Sequence, residues 1–171
     1  MDLLATLNAK GVTLPTPPPP AADYDPVARH GRQLWVSGQL PFDDDGRLLA
    51  TGTVGGAVDL ETARRCAQRC VVNALAVLQR ELDGGAGPGF ARVIKVGVFV
   101  ASAPGFAEQH LVADGASGWL TAMLGDAGRH ARAAVGCASL PLDAPVEVEL
   151  VVGLTDPATE PSSDAGAEPG R

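Results

Sequence analysis

Residues 59–82 carry the pattern that leaves this chain the fewest options. Leu60, Ala63, Ala67, Cys70, Val71, Ala74, Leu75, Leu78 and Leu82 recur at intervals of three and four. That is the period of a helix with one apolar face. Arg64, Arg65, Gln68, Arg69, Gln79 and Arg80 take much of the other side. Asp59 stands where an N-cap belongs. Residues 84–89 (GGAGPG) stop the helix and predict a flexible loop. Such a helix must lay its face on another layer. Much of that face is Ala and Cys, so the layer beneath comes close. The chain has two Trp, one Tyr and four Phe in 171 residues, yet 46% of it is hydrophobic. Small side chains must fill the core.

The rest of the sequence supplies a sheet for the helix to cover. Residues 92–101 (RVIKVGVFVA) are nearly continuous in β-branched and aromatic character and fit a strand covered on both sides. Residues 26–30 and 33–37 read as strands around a Gly31-Arg32 turn. Residues 43–46 (DDDG) form a polar turn. Residues 106–124 predict a second helix, with Leu111, Val112, Trp119, Leu120, Met123 and Leu124 as its core side. Segments 130–138 and 146–152 are further strands, joined through Leu140-Pro141. The order β-β-α-β-α-β predicts an α+β sandwich, with two helices on one face of a mixed sheet.

Residues 1–10 form a short amphipathic helix with Leu3, Leu4 and Leu7 on one side, ended by Gly11. Residues 11–20 (GVTLPTPPPP) read as a stiff, extended arm along the surface. From 156 to 171 the chain turns polar and predicts a disordered tail, so one domain spans 1–155.

Charge and motifs exclude several functions. With 13 Lys and Arg against 20 Asp and Glu, the net charge is −7, unlike a nucleic-acid binder. No apolar run is long enough to span a membrane, and no secretory signal opens the sequence. The expected location is the cytoplasm. Cys66, Cys70 and Cys137 are expected as free thiols. His30, His110 and His130 are scattered, so no metal site is expected. No P-loop, GxSxG elbow or dinucleotide fingerprint is present, and no cofactor is expected.

The chemistry points to the last two strands. Side chains alternate along a strand, so Arg132 shares its face with Ala134, Gly136 and Ala138. Ala131, Ala133, Val135 and Cys137 are then the core side. A long cation among tiny side chains leaves room for a small molecule. In 146–152, Val146, Val148, Leu150 and Val152 make an apolar face and Glu147 and Glu149 share the other. If the two strands are neighbours, a carboxylate lies near Arg132. A solvated face with a surface ion pair is the alternative. An outer face of Ala and Gly is poorly covered in a monomer, and self-association would enclose the arginine.

The segments VSGQLP (36–41), CVVNALAVL (70–78), VIKVGVFVAS (93–102) and HARAAVGCASLPLDAPVEVELV (130–151) resemble the RidA (YjgF-type) family. The opening LPTPPPPAADY (14–24) resembles one subgroup of it. The resemblance covers about residues 11–154. It implies a chorismate-mutase-like fold and a homotrimer with clefts between subunits. It also implies an enamine/imine deaminase that hydrolyses 2-imino acids to 2-oxo acids and ammonia, without a cofactor. By the same resemblance, Arg132 binds the substrate carboxylate and Glu147 positions the water. Tyr24, Ser37 and Gly38 line the cleft. Asp114, followed by Gly115, stands near the place of a ligand-contacting asparagine, and Ala134 replaces a cysteine. Two alternatives stay open: a different imine, enamine or carbonyl substrate, or a non-catalytic trimer that binds small acids or regulates a partner.

Overall fold

The computed structural model describes residues 1–17, 23–83 and 88–155. The prolines at 18–20, most of the 84–89 loop and the tail from 156 lie outside the described residues. Helix α1 is Leu3–Asn8, followed by β1 (Val27–His30) and β2 (Gln33–Gln39). Helix α2 spans Leu60–Asp83 and leads into β3 (Phe90–Ala101). Helix α3 (Gln109–Leu124) connects to β4 (Ala131–Cys137), and β5 (Val146–Leu154) completes the fold. The two last strands both enter one sheet, which has the order β1-β2-β5-β3-β4. Neighbours run antiparallel except β3 and β4, which are parallel and joined through α3. This is the expected α+β architecture.

Helix α2 starts where Asp59 accepts the Thr62 N–H at 2.7 Å. Its Ala63, Ala67, Cys70, Val71, Ala74 and Leu78 are fully buried. They pack with Val146, Val148, Leu150 and Val152 of β5 and Val93, Val96, Val98 and Val100 of β3 in one core. The small residues let the helix sit close to the sheet. Burial pushes the Cys66 thiol up to about 11 and Cys70 well above the usual range. Strand β3 is covered on one face within the chain, not on both. Ile94 and Phe99 are half-buried and Lys95 is exposed on the other side. Among the described residues, no helix is long and apolar enough to cross a membrane.

Three other expectations change. Leu3 and Leu7 of α1 are buried but Leu4 is exposed, because the covered strip takes positions one helical turn apart. Helix α3 begins at Gln109 rather than 106. Gly115, expected at the ligand, lies at the α2–α3 contact, where a Cβ would collide with the Arg64 carbonyl. Its role there is to let two backbones approach.

The loop after β2 is tied to α2 by two side chains. Asn73 donates through Nδ2 to the carbonyls of Leu40 (2.9 Å) and Phe42 (3.0 Å). Arg69 donates to the Phe42 carbonyl and to the Asp44 carboxylate (2.6 Å).

Two glycines of α3 test this packing in opposite directions. Gly115→Ala sets a methyl against a backbone carbonyl and should lower stability by about 1–3 kcal/mol. Gly118→Ala meets open space and should raise it by about 0.5–1 kcal/mol. Urea denaturation of the two variants beside wild type checks the pair.

Candidate functional site

Side chains of β5 alternate in direction: Val146, Val148, Leu150 and Val152 face the helices, so Glu147, Glu149 and the largely buried Val151 project from the face that no helix covers. Glutamates in mid-sheet need space. The Glu147 carboxylate lies where a Cβ at Gly38 would stand, and Glu149 lies likewise over Gly97. Gly38 sits where β2 slips register against β5, between Val36 and Gln39. An irregularity of this kind re-aims the backbone. Ser37 donates its hydroxyl to the Asp25 carbonyl at 2.9 Å and its N–H to the Pro26 carbonyl at 2.9 Å. These bonds draw the segment that carries the exposed Tyr24 against the Ser37-Gly38 turn. The structure therefore gathers Ser37, Gly38 and Glu147 on one side, with the backbone next to Tyr24 tied to Ser37. Burial holds the Glu147 carboxyl above its ordinary value of 4.5, and the charge of Glu149 adds to the rise.

Arg132 lies elsewhere. Its register partners run Arg132–Val96–Leu150 across the sheet, and both partners are buried under the helices. Paired residues share a face, so Arg132 points to the helix side, at the rim of α3. There Nη1 donates to Asp114 Oδ1 (2.8 Å) and Ser117 Oγ (3.1 Å), and Nη2 reaches the His110 carbonyl at 3.4 Å. His130 completes the cluster. Its Nδ1 lies 2.6 Å from the Gly128 carbonyl and must donate, because a carbonyl only accepts. Its Nε2 is then bare and accepts the Ser117 hydroxyl at 2.9 Å. Burial lowers the His130 pKa and the Arg132 charge lowers it further, although the Gly128 bond opposes them. Both effects favour the neutral ring. Ser117 accepts from Arg132 and donates to His130, so the hydroxyl fixes the guanidinium.

This reverses the face expected for β4. Arg132, Ala134 and Gly136 face the helices. Val135, expected in the core, stands 48% exposed on the bare face, where Phe99 is its neighbour. Strand β3 separates β4 from β5, so Arg132 and Glu147 are not neighbours and lie on opposite faces. Small residues on both sides of β4 give no apolar signal to choose between them. Ser117 and His130 were legible by spacing: Ser117 is three residues after Asp114 on one helix, and His130 is two before Arg132 along the chain leading into the strand.

Neither half is closed within the chain. The Arg132 side chain keeps 25% exposure and Asp114 keeps 48%. Among the described residues, nothing accepts from Arg132 Nε. The guanidinium therefore offers Nε and a remaining Nη2 proton, the side-on edge that grips a carboxylate with two parallel bonds.

Comparison with known proteins agrees with this fold. The family model described as endoribonuclease L-PSP matches residues 15–153. Protein TCP17 of Trypanosoma cruzi is 40% identical over 153 residues, covering 89% of this chain and 94% of that protein. A solved structure from Agrobacterium tumefaciens, of unknown function, is 46% identical with a TM-score of 0.79, covering 90% of this chain and 92% of that one. A structure from Shewanella oneidensis is 26% identical with a TM-score of 0.81, covering 90% and 100% respectively.

The raised Glu147 pKa has a thermodynamic sign. The folded protein binds this proton more tightly than the unfolded chain does. Stability is therefore lost as pH rises from the ordinary value of 4.5 through the raised one. Glu147→Gln removes that loss. Its melting temperature relative to wild type should climb between about pH 4 and about pH 7. Thermal scans in that window check it, and a constant difference contradicts it.

Proposed function

Because the chain belongs to the endoribonuclease L-PSP family, the YjgF/RidA family, we propose that it is an enamine/imine deaminase whose site is completed between copies of the chain. The Arg132 half of one copy meets the Tyr24, Ser37, Gly38 and Glu147 half of the next, in a homotrimer formed through the bare sheet face. The supporting observation is the unspent edge of Arg132, aimed by Ser117 and Asp114 at the rim of the molecule. One chain cannot bring this edge to its own Glu147, since a sheet lies between them.

The reaction balances with water alone. A 2-imino acid binds its carboxylate to Arg132 by two charge-assisted bonds. Glu147, made more basic by burial, accepts a proton from water as the oxygen attacks C2. The C=N electron pair moves to nitrogen, which takes up a proton. The resulting carbinolamine loses its hydroxyl proton, the C–N bond breaks, and ammonia leaves with a 2-oxo acid. Glu147 can shuttle both protons. Backbone N–H groups at the Ser37-Gly38 turn add donors that cost no reorganisation.

The family description names an endoribonuclease, but this chain is ill-suited to RNA. Its net charge is −7, and Glu147 and Glu149 stand together on the bare face. Phosphates would be repelled.

A second reading rests on Asp114. Its carboxylate already holds Arg132 Nη1 and is half exposed. It would repel a carboxylate and attract a substrate with a hydrogen-bond donor or positive group beside its acceptor. That substrate is a different imine or enamine from the simple 2-imino acids.

Imine from threonine and a dehydratase, followed by semicarbazone trapping, tests both readings. Wild type should speed imine loss, and Arg132→Ala and Arg132→Lys should each lower kcat/KM by on the order of a hundredfold. Asp114→Asn should raise activity on this imine if the second reading holds and leave it unchanged under the first. Equal rates in wild type and Arg132→Ala contradict the proposal.

The assembly has its own test. Wild type should sediment at three times the chain mass. Val135→Arg, a charge on the bare face, should give single chains and lose activity together with the trimer. A monomeric wild type contradicts the shared site.

A further inference from the structure

On the side of α2 away from the bare sheet face, the N-terminal arm crosses Arg69, Asn73 and Ala76, which lie on one helical face by their spacing. A cavity of about 520 Å³ remains between arm and helix. That volume lies within the range of small-molecule pockets. Its walls are chiefly apolar, from Pro15, Pro17, Phe42 and Ala76. A second hollow of about 370 Å³ flanks the arm on its other side. Pro15, Thr16, Pro17 and Ala76 line both hollows.

The polar groups here are mostly acceptors. Asn73 is the buried polar side chain of the described core, at 8% exposure. Its amide orientation is fixed by chemistry, since Nδ2 serves two carbonyls that can only accept. Among the described residues, nothing donates to its Oδ1. Gln39 repeats the arrangement: its Nε2 serves the Ser37 and Gly38 carbonyls, and among the described residues nothing donates to its Oε1. Gln79, in the second hollow, has a buried Oε1 without a partner among the described residues. Prolines 15 and 17 carry no N–H to satisfy any of them. Of these oxygens Gln79 Oε1 is the buried one, and it belongs to the second hollow. The Asn73 and Gln39 oxygens keep contact with solvent and are open to a donor brought by a ligand. Asp43 and Asp44 at the rim outweigh Arg69, whose guanidinium is bound to Asp44, so the local charge is negative.

We propose that this cavity binds a small amine carrying an aromatic ring. The ring lies against Pro15, Pro17 and Phe42, and the amine donates to Asn73 Oδ1 and the Asp43–Asp44 rim. The site shares no residue with the Arg132 and Glu147 halves, although its Gln39 is bonded to the Ser37 and Gly38 carbonyls, and it does not depend on the deaminase reading.

The test uses the full chain, with tryptamine as the amine probe and indole-3-propionate as an acid with the same ring. Calorimetry and ¹⁵N-correlated NMR read the binding. Tryptamine should bind saturably and shift the Asn73 side-chain amide and the Thr16 N–H. The acid should bind weaker by on the order of tenfold or more. Ala76→Phe, which fills the hollow, should weaken tryptamine by a similar factor, and Arg132→Ala should leave its affinity unchanged. If Ala76→Phe does not fold, the wild-type shift map decides. Absence of saturable binding, equal affinity for amine and acid, shifts remote from Asn73, or loss of binding in Arg132→Ala each overturns the proposal.

Discussion

Burial of Val146, Val148, Leu150 and Val152 under α2 determines which way every other side chain in the sheet points. Strand β5 lies at the centre of the sheet, between β2 and β3. Once its apolar side is covered, Glu147 and Glu149 have nowhere to go but the bare face. Gly38 and Gly97 must then stay without side chains, because the carboxylates occupy the space above them. The same register carries through β3 to β4 and turns Arg132 toward the helices. A one-residue slip would reverse every assignment. The separation of the two charged groups is thus a consequence of core burial, not an independent feature of either residue.

The bare face is costly as it stands. Trp35 and Val135 are about half exposed there, beside two glutamates one of which is already short of solvent. Among the described residues, strand β4 is also a free edge with unpaired backbone groups on one side. Free edges and apolar patches of this kind are usually covered. A second copy laid on this face would bury the aromatic and valine side chains. It would also desolvate Glu147 further and increase its basicity. Stability and reactivity would then come from the same contact.

Much of the fold was legible because strong patterns carried it. The three- and four-residue repeat at 59–82 gave α2 nearly to the residue, and the β-branched run gave β3. The alternation of 146–152 gave the face of Glu147 correctly. Arg132 was misplaced because β4 is built of Ala, Gly, Val and Cys, none large enough to mark a core side. Arg132 was read as projecting from the outer face into a cleft closed by self-association, yet it lies on the helix side and its long stem reaches polar groups at the rim of α3. Gly115 was read through its neighbours in sequence, while its role comes from a helix 50 residues earlier. Asn73 lies inside a helical repeat that carries no sign of its role. Its partners, the Leu40 and Phe42 carbonyls, belong to a loop that no periodicity connects to the helix.

Asp114 is the residue through which the site departs most from a simple carboxylate grip, and magnitudes limit what it can do. Its pair with Arg132 is partly exposed, which places its worth at about 1 kcal/mol or less. Two charge-assisted bonds from a substrate carboxylate to the free guanidinium edge are together worth more than that. Asp114 therefore cannot block a carboxylate by occupying the arginine. What remains is its charge, a few ångströms from any ligand at the free edge. That charge lowers affinity for every anion and spares ligands that bring their own positive group. Asp114 therefore acts as a filter on substrate charge while it shares with Ser117, itself held by His130, the positioning of the guanidinium, so one carboxylate serves both recognition and positioning.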